Sequence, residues 1–311
     1  MTQRVICVLG PTASGKSEVA QLVAEALGGE VVSADSMQVY QGMDIGTAKL
    51  PLAERRVPHH LIDILDPGQP YSAQQFQVAA RAVFAELEAA GVVPVLCGGT
   101  GLYVQAALEA MDFPGGERAD NLVRAAYERR AKEEGPQALW DELQARDAAS
   151  AALIHPHNVR RVVRALEMAD RGVSYAHQVE GMKSLPEVVP SLRFGLQRDP
   201  EVLARRIDAR VDAMMASGLV DEVKGLLSAG FREALTAPQA IGYKEIVAAL
   251  DGVVSFDEAV VQIKTATRRY AKRQRSWLRR DSRLQMLDAD ALDAEALARV
   301  IVERSRQTGN M

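Results

Sequence analysis

Two cysteines, Cys7 and Cys97, are all that the 311 residues contain. Both stand in apolar runs that read as buried strands. Two isolated thiols cannot build a disulfide framework or a four-cysteine zinc site, so two core thiols in a reducing compartment are expected. Long apolar runs are missing too. None approaches the ~20 residues a membrane span needs. Residues 1–9 carry one arginine and a short apolar stretch ahead of a glycine-rich loop, without the long apolar segment or small-residue cleavage site of a secretory signal. A cytoplasmic protein without membrane attachment is the expectation. There is no excess of positive charge either: 37 Lys and Arg against 41 Asp and Glu give a formal net charge of -4. No global field attracts a polyanion, so any nucleic-acid site has to be a local patch. Internal repeats and low-complexity tracts are absent, which leaves a globular chain of one or two domains.

The composition that remains, 48% hydrophobic and 25% charged, suffices for a sizeable core. Residues 5–9 form a short β-branched run ending at Gly10, and a helical pattern covers residues 16–27. Further strands are predicted at residues 30–33, 61–65 and 92–97, with a helix at 73–90. Strands alternating with helices argue for a parallel sheet covered on both faces. In such sheets the ligand crevice lies beyond the carboxyl ends of the strands. Segments 10–17, 35–38 and 98–101 fall at those ends and should converge. From 112 to 191 the pattern is helical, with helices predicted at 121–134, 136–146 and 158–171. A strand follows at 192–196, then helices at 200–216, 219–228, 243–250 and 256–280. A strand-like piece and a last helix fill 285–311. The expected fold is α/β, a P-loop NTPase-like parallel sheet core over residues 1–111 and 191–311, with a helical insertion domain at 112–190.

Gly10, Pro11, Thr12, Ala13, Ser14, Gly15, Lys16 and Ser17 spell G-x-x-x-x-G-K-[ST] between an apolar strand and a helix. Glycines let backbone N–H groups turn inward around a phosphate, and the new helix aims its positive end at the same place. Lys16 adds a mobile cation, and the Ser17 hydroxyl can ligate Mg²⁺. Kinases, NTPases and other transferases all use such a loop, so ATP is one occupant to weigh. Asp35 follows the second strand and should face the loop. It can be a general base, a helix N-cap or an outer ligand of Mg²⁺. Ser36 and Gln38 can bond to a base edge. Arg268, Lys272, Arg275 and Arg279 recur at helical spacing as one cationic stripe, with Tyr270, Gln274 and Trp277 beside it. Such a stripe suits a phosphate backbone, and equally a solvated face over a core Trp. His157, Arg160, Arg161 and Arg164 make a second basic cluster. His59 and His60 with Asp63 suggest a metal, but adjacent side chains in a strand point to opposite faces, so hydrogen-bonded structural roles are expected.

Several blocks resemble the bacterial tRNA dimethylallyltransferases. They are Asp35-Ser36-Met37-Gln38-Val39-Tyr40, Gly42-Met43-Asp44-Ile45-Gly46-Thr47-Ala48-Lys49, Pro58-His59-His60-Leu61-Ile62-Asp63 and Gly98-Gly99-Thr100-Gly101-Leu102-Tyr103. Ile154-His155-Pro156 with Arg160–Glu167, Gln239–Glu245 and Arg268–Arg279 continue the likeness, which spans about residues 5–280 in order. It implies transfer of a dimethylallyl group from dimethylallyl diphosphate to N6 of the adenosine 3′ of the anticodon, in tRNAs reading codons that begin with U. Lys16, Asp35 and Thr100 take the catalytic roles, and Arg210 is a candidate extra diphosphate contact. The likeness assigns RNA contact to Asp35, Ser36, Met37, Gln38 and Thr100, to Arg124, and to Val159, Arg160, Arg161, Val162 and Val163. It assigns the same to Gln239, Ala240, Ile241, Gly242, Tyr243 and Lys244, and to Lys272, Arg273, Gln274, Arg275, Ser276, Trp277, Leu278 and Arg279. The partners implied are a tRNA anticodon stem-loop, gripped partly by the insertion, and the prenyl donor; a monomer is expected. The zinc finger of eukaryotic members is absent, since no cysteine follows Cys97. His157-Asn158 departs from the expected Asn-Asp and puts one helix cap in doubt. A nucleotide kinase, a prenyltransferase of free adenine nucleotides and a non-catalytic RNA-binding protein are the rival readings.

Overall fold

A five-residue run buried on both faces is what a central parallel strand requires, and Val5–Leu9 forms that strand, β1, in a computed structural model that describes residues 4–113, 122–182 and 185–309. Five more strands follow: β2 (Gly29–Ala34), β3 (His59–His60), β4 (Val93–Gly98), β5 (Ser191–Gln197) and β6 (Leu284–Asp288). All pair in parallel, in the order β3-β2-β4-β1-β5-β6. Each parallel step needs a crossover, and helices supply the cover. They are α1 (Lys16–Leu27), α2 (Ala73–Ala89), α3 (Gly101–Leu108), α4 (Leu122–Glu133), α5 (Pro136–Arg146), α6 (Ala148–Ala152) and α7 (Val159–Ala169). They continue with α8 (Tyr175–Gly181), α9 (Pro200–Ala216), α10 (Leu219–Ser228), α11 (Tyr243–Leu250), α12 (Phe256–Leu278) and α13 (Ala294–Gly309). One face of the sheet packs Val8, Phe194 and Leu196 against α1 and α13, and the other packs Leu9 and Leu96 against α2 and α3. The chain leaves β1 toward β2 on one side and leaves β4 toward β5 on the other, so the crevice opens at the ends of β1 and β4.

The strand predicted at 61–65 is not formed. The edge strand is the two-residue β3, paired with Val31 and Val32. Leu61 and Asp63 then take φ of 59° and 57°, which no extended strand permits. The cause is the neighbouring loop: the buried Lys49 ammonium bonds to Asp63, to the Asp44 carboxylate at 2.8 Å and to the Tyr40 carbonyl. A charge that deep has to be paired, and the chain turns to bring Asp63 to it. Helix α3 was not predicted, because a run as apolar as Leu102–Leu108 shows no periodicity that separates helix from strand.

The chain divides into two compact units, residues 1–108 with 189–311, and residues 109–188. In the second, an antiparallel bridge between Glu109 and Glu187 and the Ala110 N to Pro186 O bond at 2.9 Å zip the entering and leaving chain together. The boundary therefore falls a few residues before each end of the predicted 112–190 segment. Its core gathers Tyr127, Leu139, Leu143, Ile154, Val162 and Leu166 from α4, α5 and α7. Asn158 caps α7, its side chain accepting from Arg161 N at 3.4 Å, so the departure at 157–158 does not cost the helix its cap.

Arg193, 2% exposed in the middle of β5, donates to Asp281 at 2.7 Å. Burial alone raises the Asp281 carboxyl, but the Arg193 hydrogen bond and charge, helped by Arg283, outweigh it and hold the group below the usual range. Asp281→Asn takes a carboxylate away from a buried guanidinium and is expected to cost roughly 3–5 kcal/mol in urea unfolding. Because the folded carboxyl is held low, the pair's contribution is present above about pH 4 and lost as pH falls through the folded value. The variant should lack that acid-dependent loss; a variant as stable as wild type at pH 7 contradicts the assignment.

Candidate active site

The phosphate loop leaves β1 at Gly10 and re-enters regular structure at Lys16, the first residue of α1. Gly15 takes φ 96°, a conformation glycine adopts without strain. Ala13 takes φ 63°, which costs a non-glycine residue and needs support from its surroundings. Ala13 packs on Leu203, Ile207 and Ala271, while Arg206 Nε donates to its carbonyl at 2.9 Å. Arg198 Nε holds the Ser14 carbonyl at 3.0 Å. Thr12 N–H donates to Gln274 Oε1 at 2.9 Å, and Gln274 Nε2 donates to Gly99 O at 3.0 Å.

The chemistry-bearing residues named from the sequence come together here. Burial lowers the Lys16 ammonium below the ordinary lysine range. Cys97 and Asp35 act against that shift and Arg210 with it, so Asp35 and Arg210 lie within electrostatic reach of Lys16. Arg210 is itself pushed down by burial and by Arg206. Asp35 Oδ1 accepts from Met37 N at 2.9 Å, an Asx turn. No helix starts there, so Asp35 is not a helix cap. Thr100 opens α3, its carbonyl accepting from Tyr103 N at 2.9 Å. The Thr100 hydroxyl is buried without a hydrogen bond of good geometry, although the Tyr270 phenol approaches it. Ser14 Oγ is likewise buried and unpartnered. Two orphaned hydroxyls at the mouths of β1 and β4 suit a ligand rich in oxygen acceptors, such as a diphosphate. Ser17, an exposed residue at the same mouth, directs its side chain toward the Cys97 thiol. Among the described residues no group of three His, Cys, Asp or Glu is arranged around a metal; a Mg²⁺ ion at this site would need phosphate oxygens as co-ligands. Burial pushes the Cys97 thiol up to about 11, which keeps it neutral.

Tyr270, which helical spacing places in the stripe beside the cations, faces this pocket. Its phenol is pushed up to about 12, first by burial and then by Asp35, with Thr100, Arg273 and Gln274 acting the other way. Arg273 lies over its ring at 5.5 Å.

Several residues named for RNA contact are packed away. Val162, Val163, Ala240, Tyr243 and Leu278 are core side chains, 0–5% exposed. The Tyr243 phenol donates to Glu222 at 2.6 Å, and Glu222 also accepts the amides of Asp44 (3.0 Å), Ile45 (2.7 Å) and Gly46 (3.2 Å). Tyr243 thus braces the 42–49 loop, where a Cβ on Gly46 would collide with its ring. Gln38 accepts from Ser33 Oγ at 3.0 Å and donates to Thr47 O at 3.2 Å, which leaves its amide little for a base edge. Arg124 is tied to the buried Glu167 at 2.5 Å, so its charge is met inside the protein. Trp277 is half-buried, its indole filling the space a Cβ on Gly101 would need. Ser36, Met37, Gly242 and Val159 are buried or half-buried, whereas Gln239 and Lys244 are exposed and Ile241 is half-buried.

The outer face of α12 keeps its charge. Lys272, Arg273 and Arg279 are exposed, with Ser276, and Arg275 is half-buried. Arg268, Lys272, Arg275 and Arg279 rim a groove of about 410 Å³ floored by Leu203 and Ile207 of α9. Arg268 pairs with Asp208 at 3.0 Å. In the second unit Arg160 and Arg161 are exposed and Arg164 half-buried, and the His155 and His157 rings stack at 5.4 Å. His59 and His60 take different partners, the Val57 carbonyl at 2.9 Å and Glu30 at 2.6 Å.

The first unit is a P-loop-like α/β body in which the 10–17 loop, Asp35 and Thr100 stand at the ends of three parallel strands. Residues 38–281 match the family model described as IPP transferase, and the chain belongs to that family. A tRNA dimethylallyltransferase of Geobacillus kaustophilus is 44% identical over 98% of this chain and 96% of its own length. The crystal structure of a full-length tRNA isopentenylpyrophosphate transferase from Bacillus halodurans shares 39% identity, covers 100% of both chains and superposes with a TM-score of 0.71. A eukaryotic dimethylallyltransferase acting on tRNA, 29% identical, aligns over 99% of this chain and 80% of its own with a TM-score of 0.80. No helix among the described residues is long and apolar enough to cross a membrane.

Proposed function

We propose that this chain transfers a dimethylallyl group from dimethylallyl diphosphate to N6 of the adenosine 3′-adjacent to the anticodon, in cytoplasmic tRNAs reading U-starting codons, acting as a monomer and releasing diphosphate. The observation that carries the reading is one pocket. Lys16 in its loop, Asp35 and Thr100 converge at the ends of β1, β2 and β4, in a chain 44% identical to a protein named for this activity.

The physical demands of the reaction match those groups. An allylic carbon tolerates positive charge, so the barrier lies in stabilising the departing diphosphate. Loop amides, the Lys16 ammonium and Arg210 act on that charge from a partly desolvated site. Mg²⁺ held through Ser17 would neutralise further phosphate charge. The adenine amine is a poor nucleophile because its lone pair is delocalised. Asp35 accepts a hydrogen bond from N6–H and takes the proton as the C–N bond forms. Thr100, its hydroxyl lacking a good partner, donates to the bridging or leaving oxygen. RNA phosphates lie along Lys272, Arg275 and Arg279, cations with no acidic partner among the described residues.

The test is incubation with Mg²⁺, labelled dimethylallyl diphosphate and either unmodified tRNA or AMP, beside a parallel set with ATP. Label in tRNA supports the reading. Label only in AMP identifies a prenyltransferase of free nucleotides, and phosphate transfer from ATP a kinase. Replacing Lys272 and Arg275 together with alanine is expected to weaken tRNA binding. The slope of log affinity against log salt should flatten by about one unit for each RNA phosphate that is no longer neutralised. An unchanged slope moves the RNA elsewhere.

A further inference from the structure

We propose that Gln274 is a positioning residue for the reaction, whose side-chain amide ties the phosphate loop to the turn between β4 and α3 and so sets the distance between the leaving-group cradle and Thr100. The inference rests on the reading of the Lys16 loop as the diphosphate cradle. Gln274 lies in the RNA-contact block of α12, yet it is 5% exposed and faces inward. Both ends of its amide are used. Oε1 accepts the Thr12 N–H at 2.9 Å and Nε2 donates to the Gly99 carbonyl at 3.0 Å. Thr12 is inside the phosphate loop and Gly99 immediately precedes Thr100. One side chain thus spans the two loops that carry the site, beyond the last main-chain link between their strands, Gly10 N to Gly98 O at 3.2 Å.

The surroundings are fitted to this bridge. A Cβ on Gly99 would collide with the Gln274 amide, so the turn is bare where the amide approaches. One turn earlier on α12, Ala271 packs on Ala13. At i−4, Tyr270 places its phenol near Thr100 and Asp35. The helix therefore grips the loop at two adjacent residues while its other face carries Lys272, Arg275 and Arg279. An amide satisfies a buried N–H and a buried C=O from the two ends of one side chain, without charge at any pH. A carboxylate would set its negative charge against the Gly99 carbonyl, and a thioether would leave both backbone groups unpaired. A small misplacement of reacting groups costs large factors in rate, so the effect belongs in kcat more than in RNA affinity.

The experiment compares Gln274→Met and Gln274→Glu with wild type in single-turnover prenyl transfer at saturating tRNA and donor, from neutral to mildly acidic pH. Gln274→Met is expected to lose about 10²-fold in kcat, with unchanged tRNA Kd and salt slope, and at a constant ratio to wild type across pH. Gln274→Glu is expected to be as poor at neutral pH and to recover toward wild type as pH falls, because the protonated carboxyl regains a donor for Gly99 O. Amide exchange at Thr12 should quicken in Gln274→Met, and in Gln274→Glu only above its carboxyl pKa. If Gln274→Met does not fold, the pH recovery of Gln274→Glu alone decides. A flat Gln274→Glu to wild-type ratio overturns the proposal, as does a loss of tRNA affinity that matches the loss of kcat. An inactive wild type would instead overturn the reading of the site, while the exchange at Thr12 still reports on the bridge.

Discussion

Asp35→Ala is expected to lower kcat by about 10²–10⁴, the range for loss of a general base, and to leave tRNA affinity nearly unchanged. The geometry separates the two quantities. One oxygen of Asp35 is committed to Met37 N at 2.9 Å, which fixes the carboxylate at the end of β2. The other has no hydrogen bond among the described residues and is the one available to an incoming N6–H. Asp35→Asn is the sharper variant. It can keep the turn to Met37, but the remaining amide NH₂ meets the adenine amine donor to donor. Its kcat should fall nearly as far as that of the alanine variant. Single-turnover rates and filter binding on the same preparations measure both. If affinity for tRNA drops in step with kcat, Asp35 is an RNA contact and not the proton acceptor.

Lys16→Met is expected to lower kcat/KM for the prenyl donor by about 10²–10³, as removal of one group that stabilises a developing anion does. Its second consequence runs the opposite way. Burial lowers the Lys16 ammonium from its ordinary value, so folding disfavours the charged form. A group with a depressed folded pKa of this kind opposes folding at every pH where it is charged in the unfolded chain. Without ligand, the methionine variant should therefore be at least as stable as wild type at neutral pH. Added diphosphate should stabilise wild type by mass action and the variant much less. Thermal melts with and without inorganic diphosphate and Mg²⁺ read both effects. A variant that melts lower without ligand and gains as much from diphosphate would place the phosphate away from Lys16.

The loop and the sheet were legible because their signals are local. A β-branched run, a glycine turn and a helical period stand next to one another in residues 5–27, and alternation of such units admits a parallel sheet and little else. The cationic stripe was legible for the same reason, since helical spacing of Arg268, Lys272, Arg275 and Arg279 survives in any packing that buries the other face of α12. What failed depended on a partner far along the chain. Residues 61–65 look extended until Asp63 is drawn to the buried Lys49. Arg124 and Tyr243 look free for RNA until Glu167 and Glu222 are placed beside them.

By itself, then, the sequence determined where the glycine-rich loop joins strand to helix and which side of α12 is charged, because backbone conformation and side-chain period are written in neighbouring residues. Only the tertiary structure decided which polar groups are spent inside the protein. It buried the Thr100 hydroxyl without a well-formed hydrogen bond and gave only one Asp35 oxygen a partner among the described residues, while closing Gln38, Gln274 and Arg124 onto internal partners. The physical reason is that a buried polar group must find a partner wherever the fold supplies one, and sequence spacing carries no information about that meeting.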